Sequence, residues 1–384
     1  MQPSYHPQIV APRSAYIHIP FCRHRCGYCN FTLVAGRDYL IERFLNAIEK
    51  EIGWLDRRYE LDTLFLGGGT PTHLSPHQLD RLGNIIRSKF SLADASEVTS
   101  ECNPNDLTRA VGNALAKIGV NRISMGVQSF NAEKLKRLER DHNRSDIESA
   151  VSVARKIKAD VSLDLIFAGP DETLNEWEQD LNQAIEMQPD HLSTYELTFE
   201  KGTQFWSRLQ HGKLHEANED LRAEMYLLAI EQLGQNGFTQ YEVSSFAKRN
   251  HKCQHNLAYW TGDPYFAFGP GASRFIDGVR ETNHQSTMQY LKLIEAGDSP
   301  VADREKLEPL AAAKERLAIG LRMVDGIAED DFLQRTGFSV ASILGTLGTT
   351  LIENNLLHHS GDRWKLTQQG RLVCDGIASE IVDV

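Results

Sequence analysis

Six short runs rich in β-branched and aromatic residues alternate with helix-length segments through the first half of the chain, and that alternation restricts the fold more than any other feature. The runs are AYIHIP (15–20), DTLFLGGG (62–69), EVTSEC (97–102), RISMGVQ (122–128), VSLDLIF (161–167) and HLSTYEL (191–197). With Tyr16, Leu66, Glu101, Gln128, Asp164 and Tyr195 as markers, successive gaps are 50, 35, 27, 36 and 31 residues, mostly near the roughly 30 that a βαβ unit requires. The intervening stretches, such as IERFLNAIEKEIGWL and RSDIESAVSVARKI, space their apolar residues by three and four, as helices covering a sheet do. Six units fall short of the eight of a closed barrel. The expected core is therefore α/β, a partial (β/α)6 barrel, with a doubly wound sheet as the competing architecture. In either, chemistry gathers where strands end and loops begin.

The rhythm changes after residue 200. A long helical stretch (218–237) leads into an aromatic and glycine-rich segment, YEVSSFAKRNHKCQHNLAYWTGDPYFAFGPGA (241–272), which reads as a lid or second wall. From about 300 onward helices with a small β wing follow. The expected organisation is a flexible N-terminus (1–13), a barrel (14–250), a connecting segment (251–300) and a mainly helical, winged-helix-like C-terminal domain (301–384).

Forty-one basic against fifty-two acidic residues leave a net charge of −11, which offers no general attraction to nucleic acid or an anionic membrane. The first fourteen residues lack signal-peptide order, and no apolar run approaches the roughly 18 residues of a membrane span. A cytoplasmic protein is expected. Six cysteines are too few for a disulfide scaffold, and three of them, Cys22, Cys26 and Cys29, lie within eight positions, a clustering that suggests a metal. Soft thiolates select zinc, copper(I) or iron–sulfur clusters. A structural zinc ion needs a fourth ligand, from His24 or a remote residue; an iron–sulfur cluster on three thiolates leaves one iron open to an external ligand.

Other segments bear on that choice. GGGTP (67–71) follows an apolar strand where bare backbone can approach a ligand, or it is an ordinary strand-to-helix turn. It lacks the GK[ST] of a phosphate loop, and no GxGxxG occurs in the chain, which disfavours nucleotide hydrolysis and dinucleotide binding. Glu101, Gln128 and Asp164 stand at or near strand ends among apolar neighbours. Each alone could be a cap or a satisfied core group; together they suggest a shared polar ligand.

Taken together, YIHIPFCRHRCGYCNF, GGGTPT, ECNP, GVQSF with Arg140 twelve residues past Gln128, and DLIF resemble the radical S-adenosylmethionine (SAM) superfamily. The resemblance is closest to its oxygen-independent coproporphyrinogen III oxidase-like branch, and YEVSSFAKRNHKCQHNLAYW and RWKLTQQGR extend it over nearly the whole chain. It implies that Cys22, Cys26 and Cys29 bind three irons of a 4Fe-4S cluster while SAM chelates the fourth. Tyr16 and Tyr28 would flank the cofactor, Gly68, Gly69 and Thr70 would meet its methionine end, and Glu101, Gln128, Arg140 and Asp164 would contact its charged and ribose groups. An electron from a donor would then cleave a carbon–sulfur bond of SAM to give a 5′-deoxyadenosyl radical.

That branch holds two functions of different class, the oxidase, which decarboxylates coproporphyrinogen propionates to vinyl groups, and heme chaperones, which hold heme and pass it to an acceptor protein. The oxidase carries a fourth cysteine where this chain has Phe31, and a longer arm before the YxHIP strand; HNLAYW (255–260) matches the HNxxYW signature of the chaperones. These features favour the chaperone, with transient contact with membrane-bound acceptors among its implications. His255 is the first candidate axial ligand of heme iron; alternatively His255, Tyr259 and Trp260 cap and fill the barrel wall. Cys253 reads as a lone thiol beside two surface histidines. Two departures stand out: the family's GLP after the fifth strand is Ala168, Gly169 and Pro170, and the histidine usual after GPGA is Ser273. A zinc-stabilised binding protein is the remaining alternative.

Overall fold

The computed structural model describes residues 11–383; residues 1–10 of the expected flexible N-terminus lie outside them. The six expected strands form in order as β1 (Ser14–Ile19), β2 (Tyr59–Gly68), β3 (Phe90–Cys102), β4 (Arg122–Gln128), β5 (Asp160–Phe167) and β6 (His191–Glu196), all parallel and hydrogen-bonded in sequence order. Period-two alternation gives this sheet two unlike faces. Ala15, Ile17, Ile19, Leu64 and Leu66 are fully buried in the main hydrophobic core, which they share with covering helices such as α1 (Ile41–Gly53) and α2 (Pro76–Lys89). Tyr16, Phe65, Glu101, Ser124 and Asp164, which alternate with such core positions along their strands, are only half-buried and line the concave interior.

The sheet extends on both sides. Beyond β6 lie Ser245–Ala247 and then Thr239–Glu242, both antiparallel; beyond β1 a seventh parallel strand, Tyr265–Phe268, leads into an antiparallel meander of Ser273–Ile276, Val279–Asn283 and Val301–Lys306. The twelve-stranded ladder ends on Val301–Lys306 at one side and Thr239–Glu242 at the other, so it is an open barrel. The fully buried Glu51 carboxylate of α1 ties in the extension, accepting from Gly269 N (2.9 Å), Asn283 Nδ2 (2.7 Å) and Tyr290 Oη (2.7 Å).

A second core, built around Leu317, Phe332, Val340, Leu351, Trp364 and Ile377, lies in the C-terminal helices and a three-stranded sheet of Ile327–Ala328, Arg363–Leu366 and Leu357–Ser360. Its first helix leads into a backbone bridge with the barrel's edge, where Val243 N donates to Arg322 O and Val324 N to Tyr241 O, each at 3.0 Å. No helix among the described residues is long and apolar enough to cross a membrane.

Candidate functional site

The cysteines hang from the end of β1. Chain reversal after Pro20 is fixed by Val34 N to Pro20 O (2.7 Å), and the Arg25 guanidinium staples the loop from outside through the carbonyls of Cys29 (3.1 Å), Phe31 (3.2 Å) and Leu33 (2.9 Å). All three thiols are free; Cys22 and Cys26 are buried and Cys29 is half-buried. The loop rests on the glycine strip that ends β2, with Gly69 N bonded to Ile19 O and Thr70 N to Phe21 O, both at 2.8 Å. A Cβ on Gly69 would lie 2.7 Å from Phe21 O, and one on Gly68 (φ +106°) 2.4 Å from the His18 ring, so this strip tolerates no side chain.

Hydrogen bonds converge on the sulfurs from neighbouring strand ends. Thr70 Oγ1 is 3.3 Å from Cys22 Sγ, and Asn103 Nδ2, just past β3, reaches Thr70 Oγ1 at 3.4 Å. Arg140 donates to Gly126 O (2.8 Å), to Asn103 Oδ1 and, through its other terminal nitrogen, to Cys26 Sγ at 3.6 Å. His24 Nε2 lies 3.6 Å from the same sulfur and 2.7 Å from Glu139 O. Burial pushes the Cys22 thiol up to about 11 and raises Cys29 as well. Among the described residues, the trio of His, Cys, Asp or Glu ligand atoms found within 4.8 Å of one another is Asp160, Asp190 and His251. Three soft sulfur donors gathered on one loop suit an iron–sulfur cluster.

Below the loop the interior is acidic. Glu101 accepts from Gly68 N (2.9 Å); burial pushes its carboxyl up to about 8, the Gly68 amide lowers it and Asp164 adds to the rise. Asp164 accepts from Ser124 Oγ at 2.9 Å, its Oδ1 is buried without a partner, and burial raises it against the lowering by nearby Ser193 and Ser124. Two half-buried carboxyls facing the barrel interior, one with an unfilled acceptor atom, suit a ligand that brings positive charge and hydroxyl donors. SAM, with its sulfonium, ammonium and ribose, has that composition, and the residues present fit it. Gln128 stands at the end of β4 in the left-handed region (φ +64°), beside a bulge in the ladder. Tyr16 Oη bonds His18 Nδ1 (3.0 Å), whose other nitrogen meets Thr32 O (2.6 Å), and Tyr28 packs edge-on against Phe205 at 6.0 Å.

His255 lies deeper in the barrel, one ring removed from Tyr16, which packs on Phe65 at 6.0 Å. The histidine hangs on Thr63, five residues before Gly68 along β2, or roughly 16 Å at strand rise. It is 1% exposed; Nδ1 meets Thr63 Oγ1 and Nε2 meets Tyr259 Oη, both at 2.8 Å, while the ring stacks on Phe65 at 5.1 Å. Burial lowers its pKa to about 3, so the ring is neutral and both nitrogens are engaged. The short helix Gln254–Trp260 that carries it is held at its start by Glu97, which accepts from the amides of Gln254 and His255, each at 3.0 Å. The segment read as a lid or second wall therefore includes a floor. Cys253 is corrected by the same packing: it is 2% exposed with Sγ 3.4 Å from Glu97 Oε1, and of its two histidine neighbours His255 is buried and His251, half-buried, bonds Asp160 at 2.7 Å. The reading of the sequence also missed Asn103 as a link between sulfur loop and barrel, although it stands in the ECNP segment.

A sequence model described as Radical SAM superfamily matches residues 16–184, and one described as HemN C-terminal domain matches residues 307–373. The chain is 36% identical to the Heme chaperone HemW of Bacillus subtilis (strain 168) over 366 residues, 94% of this chain and 97% of that one. It is 34% identical to the Heme chaperone HemW of Lactococcus lactis subsp. lactis (strain IL1403) over 360 residues, 94% of each. Among solved structures, coproporphyrinogen III oxidase (HemN) from Escherichia coli superposes with a TM-score of 0.83 at 22% identity, covering 98% of this chain and 91% of that one; at that identity the likeness shows the fold.

Proposed function

This chain belongs to the HemW family within the radical SAM superfamily, and on that premise we propose that it is a heme chaperone that carries a SAM-ligated 4Fe-4S cluster and passes heme to an acceptor protein. The observation that carries the reading is full-length kinship, which runs through the barrel and the C-terminal part alike. Phe31 supports it: the position where the oxidase has a fourth cysteine is an aromatic ring 58% exposed to solvent. The similarity to the oxidase structure argues for a shared architecture and not for its activity.

Superfamily membership implies SAM and the cluster. When bound, they supply one-electron reductive chemistry. The chain's own residues have separate tasks. Cys22, Cys26 and Cys29 would hold three irons, Thr70 and Arg140 would donate to two of the thiolate sulfurs, and the Gly68–Gly69 strip would leave backbone open to the cofactor's methionine end. Glu101 would face the cofactor's positive groups, Asp164 would accept a ribose hydroxyl, and Gln128 would close the same side; Tyr16 and Tyr28 would flank the cofactor. Heme, its acceptor and an electron donor for the cluster belong to the proposal. His255 serves heme iron only if Nε2 gives up Tyr259.

Anaerobic reconstitution followed by side-by-side assays of heme binding and coproporphyrinogen decarboxylation tests the reading. A stable, transferable heme complex with no vinyl product is expected. Turnover to a vinyl product with no stable heme complex would assign the oxidase instead.

A further inference from the structure

Behind the loops that leave β4 and β5 lies a buried ionic group to which the site described above gives no task. Lys134 is 1% exposed along its side chain, and the Glu172 and Asp180 side chains are 0% exposed. Lys134 Nζ donates to Glu172 Oε1 (2.5 Å) and Asp180 Oδ2 (2.9 Å) and lies 5.3 Å from the centre of the Trp177 ring.

Each carboxylate in turn grips one loop. Asp180 accepts from Ser129 Oγ (2.9 and 2.7 Å) and Phe130 N (2.7 Å), immediately after Gln128; Glu172 Oε2 accepts from Gly169 N (2.8 Å), immediately after Ala168. The gripped points are both strained. Gln128 has φ +64° and is spanned by a bond from Ser129 N to Val127 O (2.7 Å), the rarer and costlier sense of a three-residue turn; Ala168 has φ +58°. L-residues with a Cβ adopt that region only when the surroundings impose it, and such strain collects at ligand sites. Buried ion pairs are also weak contributors to net stability, since apolar replacements often do as well. A lone ammonium bridging two loop clamps points to geometry as its use.

We propose that Lys134 is a positioning residue for the SAM site. Through Asp180 and Glu172 it holds the ends of β4 and β5 in left-handed turns, and so sets Gln128 and the strand end beyond Asp164 against the adenosine part of SAM. The inference rests on the reading that SAM binds here.

The test is SAM affinity by equilibrium dialysis on cluster-loaded protein, with iron content and thermal melts alongside, for wild type, Lys134→Met, Ala168→Gly and the double variant. Lys134→Met is expected to retain full iron and to bind SAM weaker by about tenfold or more. Ala168→Gly alone should stay within about twofold of wild type, and in the Lys134→Met background it should recover part of the loss, because glycine takes the left-handed turn without a clamp. Lower melting is expected on either reading, because two buried carboxylates lose their cation; a purely structural lysine predicts no such recovery of SAM binding. Wild-type SAM affinity in iron-loaded Lys134→Met, or a double variant no better than Lys134→Met, overturns the proposal. If Lys134→Met does not accumulate, Glu172→Gln decides in the same assay: weakened SAM binding supports the positioning role and unchanged binding removes it. A wild-type protein that fails to bind SAM overturns the functional reading and this inference together, an outcome distinct from either variant result.

Discussion

Replacing Glu101 by glutamine is expected to stabilise the ligand-free protein increasingly as pH rises, and to flatten its dependence on pH. The carboxyl is pushed up to about 8 from an ordinary 4.5, first by burial and then by Asp164, against the lowering by the Gly68 amide. An acid with a raised folded pKa keeps its proton longer when folded. Its contribution is intact below the unfolded value near 4.5 and is lost as pH climbs through about 8. At 1.36 kcal/mol per pH unit the whole shift sets a ceiling of roughly 5 kcal/mol. Glu101 is only half-buried, however, and water in the open barrel screens it. The expected loss is therefore about 1–2 kcal/mol. Glutamine keeps an acceptor for Gly68 N and removes the charge. Urea unfolding of both proteins from about pH 5 to 9 measures the effect, and the gap should open as pH rises above the unfolded value and level off once the folded carboxyl has ionised. Calorimetry in two buffers adds a second reading, since a cationic ligand that draws Glu101 into its ionised form releases a proton from wild type and none from the variant. Parallel stability curves for the two proteins would refute the reasoning.

Three further outcomes are expected. Gly69→Ala places a Cβ 2.7 Å from Phe21 O and 2.8 Å from Ile19 O; backbone cannot yield cheaply, so iron incorporation on reconstitution should fall well below wild type, as metal analysis will report. Asp164→Asn keeps the packing but leaves one acceptor oxygen where the carboxylate had two, so Ser124 and the ligand share a single acceptor, and it should weaken SAM binding by about tenfold or more with cluster content unchanged, measured by dialysis and iron analysis. His255→Ala removes a buried ring with two hydrogen bonds, which should cost about 2–3 kcal/mol in urea melts; in variant protein that remains folded, an altered heme absorption spectrum would support His255 as an iron ligand and an unchanged one would remove it.

Much of the barrel was legible because its strands are long, β-branched and evenly spaced, and β1 to β6 form over the segments that periodicity selects. The seventh parallel strand, Tyr265–Phe268, was not, since four residues within a glycine- and proline-rich stretch carry too little period to separate a strand from a loop. A local signal did mark the meander behind it: Asp277 (φ +53°) and Gly278 (φ +72°) form the two-residue turn between strands that pair Ile276 with Val279, and Asp-Gly is a strong hairpin dipeptide. In the site, residues whose chemistry lies in their own type were found directly, as with the three clustered thiols and Asp164 inside an apolar strand. Residues that matter by partnership were missed. Asn103 joins Thr70 to Arg140, and Glu97 anchors the helix of His255 across 158 positions of sequence. No local pattern announces a contact made only when distant strands align. The same holds for Lys134, which reads as one more polar residue on a short helix until Glu172 and Asp180 close on it.

The account depends most on a vacant iron corner beside the acidic interior. Its most direct test is the electron paramagnetic resonance spectrum of the reduced, reconstituted protein recorded before and after SAM is added. A signal altered by SAM in wild type, with the alteration weakened in Asp164→Asn, is the predicted result. A spectrum that SAM leaves untouched, from a cluster whose fourth iron is held by a side chain of the protein, would contradict it.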